Sequence, residues 1–161
     1  MRNILIAAIA VALASWSQAK TLPGQQPPNE TGVVTSTLIA AVNNPKEFKI
    51  TGEVSFQGKT GLRLSAHERG SASWPVPESL AGKAVEIQFN STVATGEVEA
   101  YLLPPGGGTL GAQTLRVGQT QVRLAAKLPP KDKGQTFVRF DLQPRTQLNL
   151  SDLRVFLVER R

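Results

Sequence analysis

The sequence predicts an all-β domain, an antiparallel two-sheet β-sandwich. Three observations predict it. From Phe48 onward, short runs alternate apolar and polar residues with period two. Turns rich in Gly, Pro and Asn separate these runs, and no convincing amphipathic helix follows residue 45. A parallel α/β sheet would show long apolar strands alternating with helices instead.

The elements follow in chain order. Residues 1–19, MRNILIAAIAVALASWSQA, carry one basic residue, Arg2, then an unbroken apolar run from Ile4 to Ala14, then small residues at Ser17 and Ala19. That is the anatomy of a cleaved signal peptide. The run is shorter than the roughly 20 apolar residues a transmembrane helix needs, which argues against a retained anchor and stable membrane insertion. No cysteine follows it, which argues against a lipid anchor, and Arg2-Asn3 is not a twin-arginine pair. Residues 20–34 begin KTLPGQQPPNETG and show no apolar period, so they read as a flexible leader. Residues 35–161 are then one β-sandwich domain. Thr35 to Asn44, TSTLIAAVNN, reads either as a short helix or as a first strand.

The β signal proper starts with Phe48, Ile50, Val54 and Phe56, and turns at Gln57-Gly58-Lys59. Leu62 and Leu64 alternate with Arg63 and Ser65; Val85, Ile87 and Phe89 alternate with Glu86, Gln88 and Asn90. Val98, Ala100 and Leu102 alternate with Glu97, Glu99 and Tyr101; Val122, Leu124 and Ala126 with Gln121, Arg123 and Ala125. Val138, Phe140 and Leu142 alternate with Arg139 and Asp141, and Leu153, Val155 and Leu157 close the chain. Period two places one set inside and the other outside. Pro104 to Gly108 and Pro129 to Gly134 are loops by their turn chemistry.

Composition narrows the function classes. Removal of residues 1–19 leaves 142 of 161, enough for one core without staples. With no cysteine, thiolate chemistry, disulfides and Cys-based zinc sites are excluded. A disulfide-free exported chain fits a bacterial periplasmic or secreted protein. The chain has 18 Lys and Arg against 12 Asp and Glu, and loss of Arg2 leaves 17 against 12. This basic balance suits an anionic partner such as acidic polysaccharide, although plain solubility is the stronger reading of a charge so spread out. No run of five basic residues interleaves with aromatics, which argues against nucleic acid. The three Asn-x-Ser/Thr triplets, at Asn29, Asn90 and Asn149, read as chance.

Residues 48–158 resemble a jelly-roll carbohydrate-binding module of the galactose-binding-like superfamily. The resemblance is carried by GKTGLRLSA (58–66), by LAGKAVEIQF (80–89) with Ala84 where an aromatic is usual, and by FVRFDLQPRTQLNLSDLRVFLVE (137–159), in which Ser151 to Val155 takes the place of the last hairpin's end. It implies two antiparallel sheets, one flat or concave on its outer side, and sugar binding by analogy. It also implies a structural calcium near the first strands, where this chain offers only Glu47 and Glu53. No other cofactor and no metal site is expected.

Sugars are gripped by ring stacking together with fans of amide, carboxylate and guanidinium hydrogen bonds. Under a simple register Tyr101, Gln88, Asn90, Arg123, Arg139, Asp141 and Arg154 share the outward set, and the arginines suit a uronic-acid carboxylate. The plain alternative for all of them is a solvated sheet face. In SAHERGSASWPVP (65–77), His67 lacks a constellation for catalysis. Pro75 and Pro77 lack ladder donors, so this stretch reads as a loop or edge crossing, with Arg69 and Trp74 as its gripping pair. Trp74 either caps the core, the commoner fate of a large aromatic, or presents its face to a ligand. Glu97 and Glu99, about 6.6–6.8 Å apart at the backbone, with Glu86 across from them, would be the acid/base pair of a hydrolase. The preferred reading is a non-catalytic glycan binder. The alternative is an accessory cell-envelope protein that docks another protein through a sheet face or edge, hinted at by the out-of-phase Phe137 and Phe156.

Overall fold

The computed structural model describes residues 34–57 and 62–160. The expected signal peptide, the leader as far as residue 33, the turn at Gly58-Lys59 and Arg161 lie outside the described residues. The fold is all-β. Nine strands follow one another: β1 (Val34–Val42), β2 (Lys49–Phe56), β3 (Leu62–Pro75), β4 (Ala84–Thr95), β5 (Val98–Leu103), β6 (Gly111–Leu115), β7 (Gly118–Lys127), β8 (Phe137–Leu142) and β9 (Thr146–Arg160). Among the described residues the helical pieces are three single 3-10 turns, and no helix is long and apolar enough to cross a membrane.

Every pairing is antiparallel, and the hydrogen-bonded order is β6-β5-β8-β3-β9-β4-β7, with β1 added to β9 and β2 to β3. β3 is the corner that turns this path into two layers. Its first half, Leu62 to Ala66, pairs with β9; its second half, Gly70 to Pro75, pairs with β8. Between them, His67-Glu68-Arg69 carries the chain from one layer to the other, while β2 follows along the outer edge with a bulge between Gly52 and Val54. Bulges of this kind bend a strand and raise its twist.

The alternation read from sequence sorts the side chains as expected. Val85, Ile87 and Phe89 of β4, Val98, Ala100 and Leu102 of β5, and Val138, Phe140 and Leu142 of β8 are all buried. Phe89 and Phe140 come from strands that are not neighbours, and their rings meet edge to face with centroids 5.3 Å apart. The two layers therefore share one core, and their outer faces point in opposite directions.

The corner imposes a steric condition. Gly52 and Gly70 are cross-strand partners, and Gly52 sits at φ +76°, where a Cβ is strained. A Cβ on Gly70 would lie 2.6 Å from the Thr51 carbonyl oxygen and 2.6 Å from Val54 Cγ2. Gly70→Ala is expected to cost about 1–3 kcal/mol by overpacking, read as a lower urea midpoint at unchanged m-value.

Several expectations are corrected here. Residues 34–42 are a strand, so the helical alternative for this stretch falls, and the strand begins one residue inside the expected leader. Residues 65–75 are not a loop: they continue β3, with β2 alongside as far as Ser73 and β8 alongside Gly70 to Pro75, so the expected edge character holds only at Trp74 and Pro75, which pair with β8 alone. Pro75 is tolerated because it is the last residue of the strand and lies beyond the reach of β2, whose pairing stops at Lys49 and Ser73. β6 lacked a sequence signal, since of its five residues only Leu115 is buried. β9 is longer than the Leu153–Leu157 pattern implied. A bulge at Ser151-Asp152, with Asp152 at φ 54°, shifts its apolar phase from Leu148 and Leu150 to Leu153 and Val155.

Candidate functional site

Strand register builds a recess on the outer face of β5, β8 and the second half of β3. Cross-strand partners lie side by side on one face. One row runs Thr51, Ser71, Asp141, Glu99; the next runs Lys49, Ser73, Arg139, Tyr101. Arg69 and Gln143 close one end, where β3 turns the corner and β8 ends, and the enclosed groove has a volume of about 410 Å³. The bent β2–β3 corner makes it concave, with Gly52 and Gly70 in its wall.

The polar groups of the groove hold one another in place. Arg69 Nη2 donates to Gln143 Oε1 at 2.8 Å, and Arg139 Nε donates to Asp141 Oδ1 at 2.6 Å. The Tyr101 hydroxyl donates to Glu99 Oε2. Half-buried Tyr101 thus presents its ring with the hydroxyl already committed. The phenol is pushed up from 10.0 to about 12, first by the hydrogen bond to Glu99, then by burial and the charges of Glu99 and Asp141, with Arg139 pulling the other way. Because the folded value lies above the unfolded one, the contribution of this group to stability is complete below pH 10 and is lost as pH rises towards 12. Tyr101 is the only tyrosine, so ultraviolet titration of the phenolate reads it directly. The expected midpoint is about 12, and Glu99→Gln should bring it back towards 10.

Four of the candidate site residues, Tyr101, Arg139, Asp141 and Arg69, are brought together here. Gln88, Asn90 and Arg123 are not, nor is Arg154. They lie on the opposite outer face, on β4, β7 and β9, where Gln88 pairs with both Arg123 and Arg154. The expectation of one shared outward set fails because period two separates inside from outside and is silent on which of two outsides a residue faces. On that face Arg123 Nε bonds Glu86 Oε1 at 2.8 Å, Gln88 donates to Glu86, and Asn90 Nδ2 donates to Asp152 Oδ2 at 3.1 Å.

Trp74 is a correction as a ligand residue. It is 4% exposed and packs in the core, with its indole N–H donating to Glu47 Oε2 at 3.2 Å. Its ring has no face to offer a sugar. Glu86 does not sit across from Glu97 and Glu99 either, because β4 and β5 are not paired and belong to different layers. Glu97 lies just before β5 and pairs with Arg116 at 3.4 Å. Half-buried Phe137 lies beneath Lys49 Nζ, 5.5 Å from its ring centre. Among the described residues no three His, Cys, Asp or Glu side chains gather, and Glu47 is taken up by Trp74, so these side chains do not fit the structural calcium that the resemblance implies. Sequence reasoning missed Ser71, Thr51 and Gln143 in the groove. Their nearness to Tyr101 arises from strand order, for which no local pattern exists.

No family model matches the chain, and no curated protein matches it. Solved structures do. The N-terminal tandem CBM22 domain of Paenibacillus barcinonensis Xyn10C superposes with a TM-score of 0.55 at 12% identity, covering 83% of this chain and 51% of that one. The chain shares the β-sandwich fold of that module pair. The Clostridium thermocellum xylanase 10B CBM22-1–GH10 modules, solved with xylohexaose, also superpose with a TM-score of 0.55, at 10% identity over 74% of this chain and 28% of that one. The chain thus spans about half of one relative and just over a quarter of the other, and the likeness is one of fold.

Proposed function

We propose that this protein is an exported, non-catalytic glycan-binding module that lays a polysaccharide chain in the groove beside Tyr101. The observation that carries this reading is a groove that combines a half-buried aromatic ring with guanidinium, carboxylate, hydroxyl and amide groups at adjacent register positions. Ring stacking and planar hydrogen-bond fans are what pyranose rings offer partners for. The fold shared with carbohydrate-binding modules supports it, and the N-terminal signal-peptide pattern supports export to the periplasm or beyond. Glu99 and Asp141 each accept a hydrogen bond from a neighbouring side chain, Tyr101 and Arg139, which fixes where their oxygens stand in the groove. Among the described residues the Arg69 guanidinium bonds a neutral amide, that of Gln143, so a uronic-acid residue of the chain would meet it.

Affinity electrophoresis through gels containing xylan, mixed-linkage glucan, galactan or a uronic-acid polymer tests this directly. Retardation by at least one polymer without its degradation is expected; free migration through all of them sinks the reading. The competing reading, an envelope accessory protein that docks another protein, is favoured by one observation. β1 pairs only with β9 among the described residues, and it exposes Val34, Leu38 and Ile39 without a single charge. That reading predicts a partner that co-purifies with the wild type and not with Leu38→Glu.

A further inference from the structure

We infer that the opposite outer face holds a second, uncharged glycan subsite, in the recess between β4, β7 and the bulge of β9. The recess has a volume of about 360 Å³ and is lined only by amide and hydroxyl residues. Register makes it a regular grid. Asn90 stands beside Gln121 on one side and Ser151 on the other, and Thr92 stands beside Gln119 in the next row. Rows are about 6.6–6.8 Å apart along a strand and columns about 4.7–4.9 Å apart across strands. The Ser151-Asp152 bulge, with its register shift between Gln88 and Asn90, bends β9 away and turns an otherwise flat face into a hollow.

Two ion pairs flank the hollow: Arg123 with Glu86 at 2.8 Å, and Arg154 with Asp152 at 2.9 Å. Asn90 spends one donor on Asp152, and the Ser91 hydroxyl is turned onto the Thr120 carbonyl at 3.1 Å. Among the described residues the side chains of Gln119, Gln121, Thr92 and Ser151 make no hydrogen bond to protein, so their donors and acceptors face the hollow unspent. Paired acceptors and donors without net charge match the hydroxyls of a neutral sugar and do not select an anion. No aromatic lines the hollow, so binding is by hydrogen bonds alone and is weak, with a Kd of about 1–10 mM for a short oligosaccharide. Since the two layers bury one core between them, this hollow and the Tyr101 groove face away from each other. On a polymer the two sites add by effective concentration, and the module bridges neighbouring chains. The choice of a glycan as ligand rests on the proposed function; the position and neutrality of the subsite do not.

The test is a backbone-assigned 15N NMR titration of the full chain with xylohexaose and with cellohexaose. Saturable shifts are expected at the backbone and side-chain amides of Asn90, Gln119 and Gln121, separate from those around Tyr101. Tyr101→Ala should leave the second set intact, while Gln119→Ala/Gln121→Ala should weaken it at least about fivefold and leave the groove set unchanged. Shifts confined to the groove, shifts nowhere, or a second set undiminished in the double variant would overturn the subsite. Shifts confined to the second face would overturn the groove reading and leave the subsite standing.

Discussion

Replacement of Tyr101 by alanine is expected to weaken polysaccharide binding about 30-fold, the scale of a hot-spot residue worth about 2 kcal/mol. Tyr101 is the only aromatic lining the groove, and its ring is fixed by the hydroxyl that Glu99 holds. Alanine removes the stacking surface and also releases the Glu99 carboxylate. Tyr101→Phe separates these losses: the ring stays and the Glu99 contact goes, so a fall of only a few-fold is expected, on the scale of one hydrogen bond. Arg139→Ala should act with a size similar to Tyr101→Ala, because it removes a donor fan and leaves Asp141, its partner at 2.6 Å, without its cation. Arg139→Lys should not restore binding, since an ammonium lacks the planar fork. Isothermal titration against the polymer that retards the wild type reads all four variants. Wild-type affinity in Tyr101→Ala would remove the groove from consideration.

The largest expected loss of stability belongs to Trp74→Ala, about 3–5 kcal/mol, the range for deleting a buried large aromatic. In a domain of this size that corresponds to a fall in Tm of roughly 10–20 °C. The ring is 4% exposed between the buried faces of the two layers, and a closely packed interior has little freedom to close the cavity. The indole N–H bond to Glu47 also ties the turn before β2 to the end of β3. Trp74→Phe should keep most of the packing and lose that tie, so its cost should be much smaller. A sugar platform would behave in the opposite way, with binding lost and Tm unchanged. Calorimetric unfolding therefore tells a core tryptophan from a ligand tryptophan.

Much of the fold was legible because burial leaves a local trace. Val85, Ile87 and Phe89, or Val138, Phe140 and Leu142, alternate with polar neighbours, and every one of them is buried. The trace fails where one side of a strand is nearly all wet, as in β6, and where a bulge inserts a residue, as at Ser151-Asp152. It was only partly right at Trp74: two nearby prolines suggest an edge, and Trp74 does pair with β8 alone, but its ring turns into the core and not towards a ligand.

The candidate site was half legible. Tyr101, Arg139, Asp141 and Arg69 were named from their chemistry and do share a groove. Gln88, Asn90 and Arg123 were named by the same chemistry and occupy the opposite face. By itself the sequence determined that this is an all-β chain, where most of its strands run, and which side chains of each strand are dry, because these depend on the period of residues along one backbone. Only the tertiary structure decided that β5 lies beside β8 rather than β4, and so which polar groups meet, because ladder hydrogen bonds join backbones without regard to side chain and leave no mark in either strand.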